Sequence, residues 1–87
     1  MSWHVYLLRC RDGSLYCGST TDLARRLDEH NAGKGAKYTA RRRPVALAWS
    51  EPRETRSEAQ RREAAIKQLS RGAKLALIRA RAYQPRH

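Results

Sequence analysis

The sequence predicts an α+β fold: a small, mainly antiparallel three-stranded sheet with helices packed on it, in the order ββαβαα. Three observations carry this. Aromatic and aliphatic residues crowd Trp3 to Cys10 and return at Leu15 to Cys17, after Arg11-Asp12-Gly13-Ser14, whose Asp-Gly pair signals a hairpin. Apolar residues then recur at helical spacing in three later stretches. Finally, the strands do not alternate with helices as they do in a doubly wound parallel sheet.

After the hairpin, Ser19-Thr20-Thr21-Asp22 offers several N-caps for a first helix over Leu23 to His30, and Gly33 stands where a helix-ending glycine is expected. Lys34 to Pro44 mixes glycine, cations and a tyrosine without period and reads as a basic loop. Val45 to Trp49 is a short third strand. Ser57-Glu58-Ala59-Gln60 has the form of a capping box, with helical spacing to Leu69 and a stop at Gly72. Ala73 to about Ala82 forms a last helix with Leu75 and Ile78 on one side. Residues 1–82 therefore make one domain, and 83–87 a short C-terminal tail.

Eighty-seven residues leave room for one thin core and exclude two folded domains. Nineteen Lys+Arg against eight Asp+Glu give a net charge of +11, and residues 41–87 hold thirteen of those cations against four acids. Such an asymmetric basic surface points to a polyanionic partner, and the excess of arginine suits bidentate phosphate contacts. No apolar run is long enough to span a bilayer and no leader pattern precedes the first strand, so the expected location is the cytoplasm, away from any membrane. Cys10 and Cys17 lack metal-site spacing and are expected to be free thiols.

On the first helix Leu23 and Leu27 define the buried face, Arg26 and His30 fall beside it, and Arg25 points away. Arg26 either meets an anion there or runs along the apolar edge to water. On the second helix Glu63 borders the face of Ala59 and Ile66. It either pairs with a cation such as Lys67 one turn later or offers an oxygen ligand to a hard divalent ion. Tyr6 and Tyr16 share a sheet face only if the hairpin carries a three-residue loop or a bulge, which would pair Cys10 with Tyr16; a two-residue turn would pair Arg9 with Tyr16 and separate the rings. Lys34, Lys37, Arg41, Arg42 and Arg43 are either a solvated charge run or a phosphate-contacting patch.

Taken together these residues resemble the GIY-YIG nuclease superfamily over His4 to Ile78, and in particular its small single-domain bacterial endonuclease-like branch. His4-Val5-Tyr6 stands at the first motif and Tyr16-Cys17-Gly18 at the second, with Gly18 as the motif glycine. Arg26 follows ten residues after the second tyrosine, and Glu63 lies shortly before Ile66-Lys67. Glycine is absent before Val5, Cys17 fills the middle of the second motif, and no clear asparagine follows the last helix.

The resemblance implies phosphodiester hydrolysis with one divalent metal, Mg2+ or Mn2+, held by Glu63. Arg26 would meet charge on the phosphoryl oxygens, Tyr6 would orient or deprotonate the attacking water beside Tyr16, and His30 would relay a proton. A phenolate base carries a cost of roughly 4 kcal/mol at neutral pH, and an alkaline optimum would follow. The partner implied is nucleic acid, DNA above RNA, cut by structure or damage rather than by sequence and without a small-molecule cofactor. A non-catalytic nucleic-acid-binding module on the same scaffold is the competing expectation.

Overall fold

The computed structural model describes residues 2–82; the expected tail over residues 83–87 lies outside them. Strand β1 (Trp3–Arg9) buries Val5, Tyr6, Leu7 and Leu8 in succession. Both parities are covered, which requires protein on both faces of the strand. Accordingly β1 is the middle of an antiparallel sheet ordered β2-β1-β3, with β2 (Leu15–Thr20) and β3 (Ala46–Arg53) on either side. β3 runs past the predicted Trp49 because an edge strand accepts Pro52. Leu7 pairs with Trp49 and Leu8 with Leu47, so Ala48 bulges out of the ladder.

The hairpin loop has three residues, Arg11 to Gly13, closed by Cys10 N–H to the Ser14 carbonyl and Gly13 N–H to the Cys10 carbonyl. Gly13 takes a φ of 86°, which its missing Cβ permits. Leu8 therefore pairs with Tyr16, rather than Cys10 as expected for a three-residue loop. The loop begins one residue earlier than that expectation, so the register moves by two and both tyrosines still share a face.

One sheet face carries helices α3 (Arg56–Lys67) and α4 (Arg71–Ala82), whose Ala59, Ile66, Leu77 and Ile78 pack with Val5, Leu7, Cys17 and Trp49 of the sheet. The other carries α1 (Leu23–Asn31), whose half-buried Leu23 and Leu27 pack on Tyr6, Leu8, Cys10 and Val45. Asp22 caps α1 by accepting from Arg25 N–H. The basic loop contains one helical turn, α2 (Lys37–Ala40), too short for periodicity to reveal. The α3 capping box is Thr55-Glu58 rather than Ser57-Gln60: Glu58 places a carboxylate in the first turn, which the helix dipole favours. Gly72 does not stop a helix but lies in the first turn of α4, where the Ser70 hydroxyl accepts from Ala73 N–H. Leu77 and Ile78 pack on the core, while Leu75 is half-buried.

Leu7, fully buried against both neighbouring strands and α3, sets the scale of this core. Leu7→Ala is expected to cost about 2–5 kcal/mol, a large share of a small domain's stability. A urea midpoint unchanged by the substitution would contradict that packing.

Candidate active site

Tyr6 pairs across the hairpin with Gly18, and its ring and hydroxyl lie where a side chain at 18 would project. A Cβ there would overlap the phenol, so the glycine of the Tyr-Cys-Gly segment gives Tyr6 its seat. From that seat the Tyr6 hydroxyl reaches His30 Nε2 at 3.0 Å. His30 is fully buried, and Gly35 lies against its imidazole so closely that a Cβ at 35 would overlap the ring. On the far side His30 Nδ1 is 2.7 Å from Thr39 Oγ1, while the Thr39 hydroxyl donates to the Ala36 carbonyl at 3.2 Å.

A hydroxyl has one proton. Since that of Thr39 goes to Ala36, Thr39 accepts from His30 Nδ1–H, and the Nε2 lone pair of the neutral imidazole faces the Tyr6 O–H. Burial first, then the Arg26 charge, hold the His30 pKa below the ordinary value, which keeps this tautomer neutral. Burial also pushes the Tyr6 hydroxyl up, and the nearby Arg26 guanidinium opposes that rise. Spontaneous phenolate formation is thus harder than in a free tyrosine, but a proton acceptor is already in place.

Arg26 borders the buried face of α1 as predicted. Its guanidinium bonds Glu29 Oε1 at 2.9 Å and the Gly35 carbonyl at 3.0 Å, and interacts with the Tyr6 hydroxyl. The Arg25 side chain is 77% exposed and, among the described residues, pairs with the other oxygen of Glu29 alone. Ser19, Arg25, Arg26 and Glu29 line an open cleft of about 270 Å³ with Trp3 and Asp22. Tyr16 sets its ring 5.2 Å from that of His30, edge-on, and stacks on Tyr38 at 6.0 Å.

Glu63 approaches from the other side of β2. Strand alternation turns Cys17 and Ser19 toward α3 and Gly18 toward Tyr6. The Ser19 hydroxyl donates to Glu63 Oε1 at 2.7 Å, and Lys67 Nζ lies 2.7 Å from Oε2. Glu63 and Arg26 therefore come from helices on opposite faces of the sheet, and the charge of each reaches the Tyr6 hydroxyl that lies over Gly18. The Glu63 carboxylate, 20% exposed, also raises the buried Cys17 thiol, which burial above all pushes to about 11.

Among the described residues no three His, Cys, Asp or Glu side chains gather into a metal cluster. One carboxylate with an adjacent hydroxyl still fits a hard divalent ion, because magnesium often takes one or two carboxylates and fills its shell with water and phosphate oxygens. The Lys67 ammonium on Oε2 shows that this carboxylate already accommodates a cation.

The basic segment divides. Arg42 is committed to Asp12 Oδ2 at 3.1 Å, to the Tyr38 carbonyl and to the face of the Tyr38 ring. Arg43 holds the carbonyls of Ala40 and Asn31. Lys34, Lys37 and Arg41 are exposed and join no ion pair among the described residues. Thr39, Ser19 and Gly35 escaped the sequence reading. Only the glycine pair around Lys34 hinted at a close approach, and a threonine in an aperiodic loop carries no signal.

A central β1 tyrosine over a β2 glycine, an α1 arginine and an α3 glutamate at the strand edge define a nuclease-type catalytic domain, and the chain belongs to the GIY-YIG family. Residues 2–76 match the family described as the GIY-YIG catalytic domain, a nuclease family whose members generally use divalent metals. The chain is similar to a UPF0213 protein of Halobacterium salinarum, 58% identical over 86% of this chain and 97% of that one. It is 53% identical to a UPF0213 protein of Staphylococcus haemolyticus, over 90% and 95% of the two chains. A solution NMR structure of a protein from E. faecalis matches with a TM-score of 0.66 and 48% identity, over 100% of this chain and 93% of that one. No helix among the described residues is long and apolar enough to cross a membrane.

Proposed function

We propose that the protein is a divalent-metal-dependent endonuclease that hydrolyses DNA phosphodiester bonds, directed by the structure or damage of the DNA rather than by its sequence. The observation that carries this is the hydrogen-bonded chain from Tyr6 through His30 to Thr39, set beside Arg26. A neutral histidine aimed at a tyrosine hydroxyl turns that hydroxyl into a base.

Attack would proceed with a water oxygen bonding to phosphorus while the bond to the leaving sugar oxygen breaks. The water proton passes to the Tyr6 oxygen as the Tyr6 proton passes to His30 Nε2. Thr39 holds the imidazole in the accepting tautomer, Tyr16 packs against its edge, and Arg26 faces the charge that grows on the phosphoryl oxygens. Glu63, with Ser19 beside it, would hold the divalent ion, which when bound polarises the phosphate and stabilises the leaving oxygen. Because the proton transfer is a relay, the alkaline optimum expected of a free phenolate base does not follow.

Lys34, Lys37 and Arg41 contact phosphates, which fix position without reading base sequence. That supports recognition by shape, in the cytoplasm where such substrates form. The test is a panel of labelled duplex, single-stranded, nicked, flapped and branched DNAs, with matched RNAs, incubated with Mg2+ or Mn2+ and again with EDTA. Metal-dependent cutting that favours one shape is expected. Salt-sensitive binding without cutting by any metal would overturn the enzyme reading in favour of a nucleic-acid-binding module.

A further inference from the structure

A second basic concavity lies apart from the cleft, sharing none of its lining residues. Its volume is about 510 Å³, and Arg11, Arg41 and Arg43 line it with Asn31, Ala40 and Pro44. No carboxylate is in its wall. The nearest acid in sequence, Asp12, is committed to Ser14 and Arg42.

The three arginines come from two segments, the hairpin tip and the loop before β3, that are fastened together. Arg11 N–H donates to the Arg42 carbonyl at 3.0 Å, which ties the hairpin tip to the loop before β3, and the Arg42–Asp12 pair repeats that tie with side chains. The Asn31 amide grips the Val45 main chain on both sides, donating to its carbonyl at 3.0 Å and accepting its N–H at 2.7 Å. Arg43 is aimed by the carbonyls of Ala40 and Asn31. Arg11 and Arg41 are exposed and take part in no ion pair among the described residues. Three guanidiniums that line one concavity without an anion repel one another, and a phosphate relieves that repulsion while using the bidentate geometry of the arginine fork.

The concavity is also placed to follow the cleft. Arg26 binds the Gly35 carbonyl at one end of the Gly33–Gly35 segment, and the Arg43 guanidinium lies against Gly33 at the other. Those two glycines are at most about 7 Å apart along the chain. The unpaired Lys34 stands between them.

We infer that Arg11, Arg41 and Arg43 form a second phosphate-binding pocket, which grips the nucleic-acid backbone beside the strand held at Arg26. This rests on the reading of the protein as a nuclease, but its test needs no catalysis. Binding of a labelled oligonucleotide, single-stranded and duplex, is followed by fluorescence anisotropy in EDTA from low to physiological salt. Arg11→Ala and Arg41→Ala, whose side chains hold no structural bond, are expected each to weaken binding and to flatten the log-affinity against log-salt slope by roughly 0.7–0.9. Arg61→Ala and Arg79→Ala remove the same charge from the helices on the opposite sheet face and are expected to leave that slope unchanged.

Equal effects from all four variants would reduce the pocket to net charge and overturn the inference. So would pocket variants that bind inorganic phosphate less well while binding the oligonucleotide unchanged. Loss of cutting in the substrate panel with the slope differences intact would remove the enzyme reading alone.

Discussion

Tyr6→Phe is expected to leave a folded, DNA-binding protein that cleaves about 10²- to 10⁴-fold more slowly, the usual weight of a positioned acid–base group. Phenylalanine keeps the ring on Gly18 and removes only the hydroxyl that joins His30 and Arg26 and that takes the water proton in the proposed relay. Stability falls as well, by about 1–3 kcal/mol, because the buried His30 Nε2 loses its donor. The pH profile separates a relay from a free phenolate. With His30 held below its ordinary pKa, the wild-type rate is expected to be flat through neutrality and to fall only on the acid side of about 6.5. Stability follows the same sign: an unfolded chain binds a proton near pH 6.5 that the folded histidine refuses. The stabilisation is therefore complete above that pH and lost as pH falls through the lower folded value. Single-turnover rates across pH, with thermal melts alongside, check both. A rate that climbs only above pH 9, or a Tyr6→Phe protein within threefold of wild type, would sink the relay.

Glu63→Ala is expected to abolish metal-stimulated cutting, by roughly 10³-fold if the ion supplies about 4 kcal/mol of charge stabilisation. Binding to DNA in EDTA should persist or strengthen, since a negative charge is removed from a basic surface. The Lys67 pair offers the alternative role for this carboxylate, and Lys67→Met distinguishes the two. A helical i,i+4 pair contributes only about 0.3–0.5 kcal/mol, and the Lys67 end of this one is exposed, so Lys67→Met should melt close to wild type and retain metal-dependent cutting. If both variants lose activity together with their thermal transition, Glu63 is structural.

The fold was largely legible because its signals are local or periodic. The unbroken apolar run of β1 marks a strand covered on both faces, and helical spacing alone separated Arg26 from Arg25 and put Glu63 beside Ala59 and Ile66. Where two local signals competed, the sequence misled: Thr55-Glu58 and Ser57-Gln60 both spell a capping box, and Gly72 both ends and enters helices. The hairpin register turned on one loop residue that the Asp-Gly pair does not decide. At the site, Tyr6, Arg26, His30 and Glu63 were visible as residues. Their assembly around Gly18, with Ser19 and Thr39 as partners, depends on tertiary approach and has no pattern along the chain.

Arg26, Arg42, Arg43 and Arg71 each anchor a backbone carbonyl: Gly35, Tyr38, Ala40 with Asn31, and Gly13. A carbonyl satisfies a guanidinium N–H without cancelling its charge, whereas a carboxylate would do both. Arg43 and Arg71, which join no ion pair among the described residues, thus stitch loops while remaining cations toward the outside, whereas Arg26 and Arg42 also pair with Glu29 and Asp12. Their side chains are ordered before any polyanion arrives, so the entropy of fixing them is already spent in folding and is not charged again on binding.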